Sequence, residues 1–130
     1  DGVTGGKTRV LIVDGDREVV ETLEKVLVQQ TNYEVRTART GFEAGMECER
    51  FKPHVMLLDL HLGEGDAKEV TKLVRNDDDL QMTRIIAMSG KLTDGQLQGL
   101  RASGFDGYLR KPFQVRQVVE AIESATSVVH

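Results

Sequence analysis

The 130-residue sequence predicts an α/β domain, a parallel sheet of five strands with helices on both faces. Three observations carry that reading. Short apolar runs recur along the chain and alternate with segments of helical period, the order that builds a parallel sheet. Several of these runs are continuously apolar, as in strands buried on both faces. The connections between them are short. There is no internal repeat and no low-complexity segment.

Each element follows from its residues. RVLIV at 9–13 is a continuous apolar run and reads as the first strand. Residues 16–30 place Val19, Val20, Leu23, Val26 and Leu27 on one helical face, with Asp16 as N-cap. YEVRTA at 33–38 alternates, as a strand nearer the sheet edge does. Residues 41–51 form a weaker helix with Gly45 inside it. HVMLLDL at 54–60, after Pro53, is the most apolar strand and is predicted to be central. GEGDA is a glycine-punctuated loop, followed by a helix at 67–76 that carries Val70, Leu73 and Val74 at helical spacing. RIIAMSG at 84–90 is the fourth strand. A short helix at 93–103 turns Leu97 and Leu100 inward and stops at Gly104. FDGYL at 105–109 is the fifth strand, and Val115, Val118, Val119 and Ile122 define the last helix.

Composition narrows the function classes. A hydrophobic share of 39% and a charged share of 29% suit one globular core. The net charge of −4 argues against nucleic-acid binding through a basic face. The single cysteine, Cys48, excludes an internal disulfide and suits a reducing, cytoplasmic setting; at its spacing from Ala44 it reads as a small core residue. No apolar run approaches the ~20 residues a membrane span needs, and no signal-peptide pattern opens the chain. The expected organisation is a leader or linker over 1–8, a domain over 9–124 and a tail over 125–130. The opening Asp suggests a trimmed or excised domain.

In an open parallel sheet, sites form outside the carboxyl ends of the strands. Asp14 and Asp16 follow the first strand, Asp59 ends the third, Ser89 ends the fourth, and Lys111-Pro112 follows the fifth. Two carboxylates ~5 Å apart repel by ~3 kcal/mol at an effective dielectric of ~20, so the cluster calls for a cation. Oxygen-only ligands favour a hard ion, and Mg2+ is the usual choice beside phosphate. Lys111 can pair with a carboxylate or a phosphoryl oxygen, and Ser89 can donate a hydrogen bond to the same oxygen. A carboxylate can act as covalent phosphoryl acceptor. Blander readings stand beside these. Asp14 and Asp16 can be a turn and a helix cap, Tyr108 a packing aromatic, and NDDD at 76–79 a solvated helix end.

The ordered set VLIVDGD, HVMLLDLHL, IIAMSG and YLRKPF resembles the receiver domain of two-component response regulators, over nearly the whole chain. The resemblance implies a flavodoxin-like (βα)5 fold of strand order 2-1-3-4-5. It implies transfer of a phosphoryl group, with Mg2+, from a sensor histidine kinase or phosphotransfer protein to Asp59. Asp14 then matches the first acid of the family's pair, and the backbone carbonyl of His61 a metal ligand. Ser89 matches the hydroxyl that bonds the phosphoryl group, Lys111 the lysine that contacts it before a cis bond to Pro112, and Tyr108 the aromatic switch residue. The side chains of His61 and Lys91 flank the site. No small-molecule turnover is expected beyond the domain's own phosphorylation and dephosphorylation. Homodimerisation, if present, would use the fourth helix, fifth strand and fifth helix.

Three positions depart from the family pattern. Gly15 stands where the second acid, a direct metal ligand, is usual; Gly63 replaces a proline, and Ala67 a glycine. Asp16 is the candidate stand-in for the missing acid. Gly15 also motivates an alternative, a degenerate receiver that binds partners without phosphorylation. A remote alternative takes DGD as the Asp-x-Asp of haloacid-dehalogenase-type phosphatases, with Asp14 as nucleophile. The chain lacks the Gly-Thr that usually follows there and is short for that fold.

Overall fold

A computed structural model describes residues 6–63 and 65–127. Ten elements alternate: β1 (Thr8–Val13), α1 (Arg17–Gln29), β2 (Tyr33–Ala38), α2 (Gly41–Phe51), β3 (Val55–Asp59), α3 (Asp66–Asn76), β4 (Arg84–Ser89), α4 (Asp94–Ala102), β5 (Gly107–Arg110) and α5 (Val115–Thr126). The strands form one parallel sheet in the order β2-β1-β3-β4-β5. The expected fold class, strand order and central β3 are therefore observed. β1 begins at Thr8, within the expected leader, and α5 reaches Thr126, within the expected tail. Residues 1–5 and 128–130 of those two segments lie outside the described residues.

The core has two halves because side chains alternate across each strand. Leu11, Met56 and Ile85 stand in register and, with Val13, Leu58 and Ala87, pack against α2 and α3 through Ala44, Cys48, Val70 and Val74. Val10, Ile12, Val55, Leu57, Ile86 and Met88 face the other way, onto Val20, Leu23 and Leu27 of α1 and Val118 and Ile122 of α5. All five residues of β3 are buried, which explains its unbroken apolar run. Cys48 is fully buried, and burial pushes its thiol up to about 11, so it is an inert core residue. Among the described residues, no helix is long and apolar enough to cross a membrane.

Local signals set the helix ends. Asp16 Oδ1 accepts from the Glu18 amide and caps α1, and Thr40 caps α2 through the Glu43 amide. The Arg9 guanidinium closes the other end of α2 by donating to the carbonyls of Phe51 and Lys52.

At three places apolar positions at helical spacing are less covered than that spacing suggests, the inward-facing Leu97 and Leu100 of α4 among them. Leu73 is 43% exposed and Val115 48%. Leu73 lies beside Gly45, where a Cβ would stand 3.8 Å from its Cδ1, so it sits on the seam between α2 and α3 and not beneath α3. Val115 is the first residue of α5. Helix α4 buries no residue at all; Leu97 and Leu100 are only half-covered. Its partner β5 is four residues long and at the sheet edge, and a Thr93–Gln96 capping box holds its start instead.

His54, just before β3, yields a pH prediction. Its Nδ1 accepts the Arg9 amide at 2.8 Å, and burial, then the nearby Arg9 charge, lowers its pKa below 6.5. The folded state favours neutral imidazole, so the unfolded chain takes up the proton first. The His54 contribution is full above the ordinary imidazole pKa and is lost as pH falls through it toward the lower folded value. Thermal melts between about pH 7.5 and 5.5 should show Tm falling with pH, and His54→Asn, which keeps an acceptor near Nδ1, should flatten that slope. An unchanged slope would refute the assignment.

Candidate functional site

The carboxyl ends of β1, β3, β4 and β5 bring Asp14, Asp59, Ser89 and Lys111 together. Asp14 is 1% exposed, because it directly follows the fully buried Val10–Val13 run of β1. Its Oδ1 accepts the Asp16 amide at 2.9 Å, and its Oδ2 accepts Lys111 Nζ at 2.6 Å. Lys111 Nζ also lies 3.6 Å from Asp59 Oδ1. One ammonium thus bridges two carboxylates from distant parts of the chain. Burial raises the pKa of Asp14 despite the opposing bonds from Lys111 and the Asp16 amide, and the Asp59 charge adds to the rise.

Asp59 is 6% exposed. The His61 amide donates to its Oδ1 at 3.0 Å. Oδ2 has no hydrogen bond from a described residue. Among the described residues no buried side-chain nitrogen or oxygen lacks a partner. Ser89 is fully buried; its Oγ accepts the Lys91 amide at 3.1 Å, and its carbonyl accepts the Tyr108 hydroxyl at 2.8 Å. Gly90 packs closely beside it: a Cβ there would stand 3.1 Å from the Lys111 carbonyl oxygen, so that backbone would have to give by a few tenths of an ångström. The peptide bond from Lys111 to Pro112 is cis.

Asp16 is not drawn into the cluster. Its Oδ1 caps α1, and its side chain is exposed. Arg39, which sequence reasoning passed over, donates from Nη2 to the Gly15 carbonyl at 3.2 Å. The side chain of His61 does more than flank the site: its Nε2 lies 3.1 Å from Ser89 Oγ. The pair is 28 residues apart, and no spacing signal links them.

Among the described residues, no group of three or more His, Cys, Asp and Glu is arranged to hold a metal ion. The oxygen donors on Asp14, Asp59 and the His61 carbonyl are of the kind that suits a hard cation, one carboxylate fewer than the resemblance implies. Gly15 is where the missing one belongs, and the space is open. A Cβ there would meet only Leu62 and Arg39 carbonyls, at 3.7 and 3.8 Å. Gly15→Asp should therefore fold, lower Tm in EDTA by adding a third negative charge, and regain Tm on Mg2+ addition. Mg2+ affinity by calorimetry should tighten roughly tenfold or more, as ligand charge count sets affinity at such sites. Equal affinity in the two proteins would show that Gly15 does not limit the site.

An open sheet in this strand order, with a lysine-bridged acidic edge, defines the CheY-like class of α/β domain. The family model described as the response regulator receiver domain matches residues 10–123, and the chain belongs to that family. Among curated proteins it is similar to the polar-differentiation response regulator DivK of Brucella anthropi, 32% identical over 115 residues, spanning 88% of this chain and 93% of that protein. DivK of Brucella ovis is 29% identical over 90% of this chain and 95% of its own length. Among solved structures, the chemotaxis response regulator CheY4 of Vibrio cholerae superposes with a TM-score of 0.83 at 25% identity, covering 92% of this chain and 98% of that one. A response-regulator receiver domain from Bermanella marisrubri gives 0.81 at 30% identity, covering 93% and 99%. The family match speaks for the receiver reading over the phosphatase alternative; Asp14 itself is buried, with a bond to each carboxylate oxygen.

Proposed function

We propose that this receiver domain takes a phosphoryl group onto Asp59 from a phosphohistidine on a sensor histidine kinase or phosphotransfer protein. The observation that carries the reading is the asymmetry of the Asp59 carboxylate. Oδ1 is held by the His61 amide and lies near the Lys111 ammonium, whereas Oδ2 accepts no hydrogen bond from a described residue and is the oxygen we take as open. The held oxygen orients the group, and the open one attacks phosphorus. An O–P bond forms as the P–N bond of the phosphohistidine breaks and its electron pair returns to the imidazole ring. Lys111, already between Asp14 and Asp59, turns to a phosphoryl oxygen, and Ser89 supplies a second donor. Asp14, Asp59 and the His61 carbonyl are the residues that would hold Mg2+, weakly, and Asp16 Oδ2 is left by the helix cap for a water-mediated contact. Bound there, the ion would neutralise charge on the phosphoryl oxygens.

Output runs through a population shift on the face formed by α4, β5 and α5, with Ser89 and Tyr108 as the moving pair. The absence of any buried residue on α4 supports that placement. A cytoplasmic setting, homodimerisation through the same face, and no enzymatic turnover or nucleic-acid contact of its own complete the reading. Incubation with acetyl phosphate or phosphoramidate and Mg2+, read by intact mass, tests it.

Gly15 favours a second reading, a receiver that engages its partner without phosphorylation. Mg2+ titration followed by NMR separates the two. Saturable shifts at Asp14 and Asp59 support the phosphoacceptor, and their absence up to high concentration supports the unphosphorylated module.

A further inference from the structure

We propose that His61 is a positioning residue that holds the Ser89 hydroxyl in its resting orientation, so that a phosphoryl group on Asp59 must take that proton away from the imidazole. The inference rests on the phosphoacceptor reading and adds a competitor to it. Ser89 is fully buried, and its Oγ has two partners among the described residues, the Lys91 amide at 3.1 Å and His61 Nε2 at 3.1 Å. The amide can only donate. The hydroxyl proton of a buried serine needs an acceptor, since leaving it unmade carries the desolvation cost of the group. Of the two partners only His61 Nε2 can accept. The bond is therefore Ser89 O–H to Nε2, with the ring proton on Nδ1.

The backbone of His61 makes this geometry specific. Its amide is tied to Asp59 Oδ1 at 3.0 Å while its ring reaches Ser89, so one residue spans the acceptor and the switch hydroxyl. The Ser89 carbonyl is held at the same time by the Tyr108 hydroxyl at 2.8 Å. Both polar ends of Ser89 are thus engaged in the resting state. A phosphoryl oxygen on Asp59 calls for the same O–H that His61 accepts. Removing the imidazole acceptor raises the free energy of the resting state and leaves the phosphorylated state, in which that bond is already broken, unchanged.

The test uses beryllofluoride with Mg2+ as the phosphoryl mimic, on the chain as it stands. His61→Ala should bind it roughly three- to tenfold more tightly, the factor that one ordinary net hydrogen bond sets. His61→Gln, whose amide oxygen accepts at about the reach of Nε2, should bind like the parent protein. Weaker or equal binding by His61→Ala, or a Gln variant that behaves like Ala, would overturn the proposal. Imidazole 15N spectra of the uncomplexed protein supply the second arm. The Nε2 resonance of His61 should be that of an acceptor nitrogen and should shift in Ser89→Ala; a protonated Nε2, or no shift, overturns the bond whatever the mimic does. Failure of the parent protein to bind beryllofluoride at all would count against the phosphoacceptor reading, while the spectra would still decide the bond.

Discussion

Asp59→Ala should abolish phosphoryl uptake: with acetyl phosphate and Mg2+, the parent chain gains one phosphoryl mass and the variant gains none. No other carboxylate at the sheet edge can take over. Asp14 is buried with both oxygens bonded, and Asp16 has one oxygen committed to the cap of α1. Asp16 is exposed and has no bond to Lys111, whereas Asp59 is held by the His61 amide with Lys111 Nζ 3.6 Å from its Oδ1. A gain that survives in Asp59→Ala would place the acceptor elsewhere and sink the assignment. Lys111→Met should slow uptake without abolishing it, because it removes transition-state charge stabilisation and not the nucleophile. It should also leave Asp14 and Asp59 without their shared cation, so its Tm should fall as ionic strength is lowered.

The largest expected loss of stability lies away from this edge. Arg75, in the last turn of α3, donates from Nε and Nη2 to the Gly104 carbonyl, from Nη1 to those of Gln81 and Thr83, and from Nη2 to Asp106 Oδ2. One guanidinium therefore joins α3 to the loop before β4 and to the turn between α4 and β5. Asp106 in turn accepts the Ile85 amide at 2.9 Å, which carries the link into the sheet. The Arg75 side chain is 26% exposed, and Asp106 27%, so water can restore only part of what is lost. Arg75→Met should cost about 3 kcal/mol, in line with loss of several charged hydrogen bonds that leaves acceptors half-buried. In urea denaturation this reads as a lower midpoint at unchanged slope, and in a melt as roughly 10 °C. Arg75→Lys should recover a minor part, since an ammonium cannot span three carbonyls and a carboxylate at once. A loss below about 0.5 kcal/mol, the scale of ordinary surface changes, would show that the network carries little.

What was legible in the chain is what depends on near neighbours. The continuous apolar runs of β1, β3 and β4 announced strands covered on both faces, and burial on both sides is what those runs require. Asp16, Thr93 and Gly104 marked helix ends because capping acts within a few residues. Asp14, Asp59, Ser89 and Lys111 could be named because strand ends of a parallel sheet converge on one edge whatever the details of packing.

The tertiary structure alone decided how these groups pair. Lys111 and Asp14 are 97 residues apart, and only the juxtaposition of β1 and β5 across β3 and β4 makes the ammonium the cation of the cluster. The His61–Ser89 bond, the Arg75 hub and the outward turn of Leu73 rest likewise on contacts between elements distant in sequence. Periodicity describes which face of a segment is apolar; it does not say how much of that face a neighbour covers. That is why Leu97 and Leu100 could be assigned to the correct side of α4 while the helix itself buries nothing. Hydrophobic pattern is a local property and sets the fold, whereas hydrogen-bond partners and the last degrees of burial are fixed only when distant segments meet.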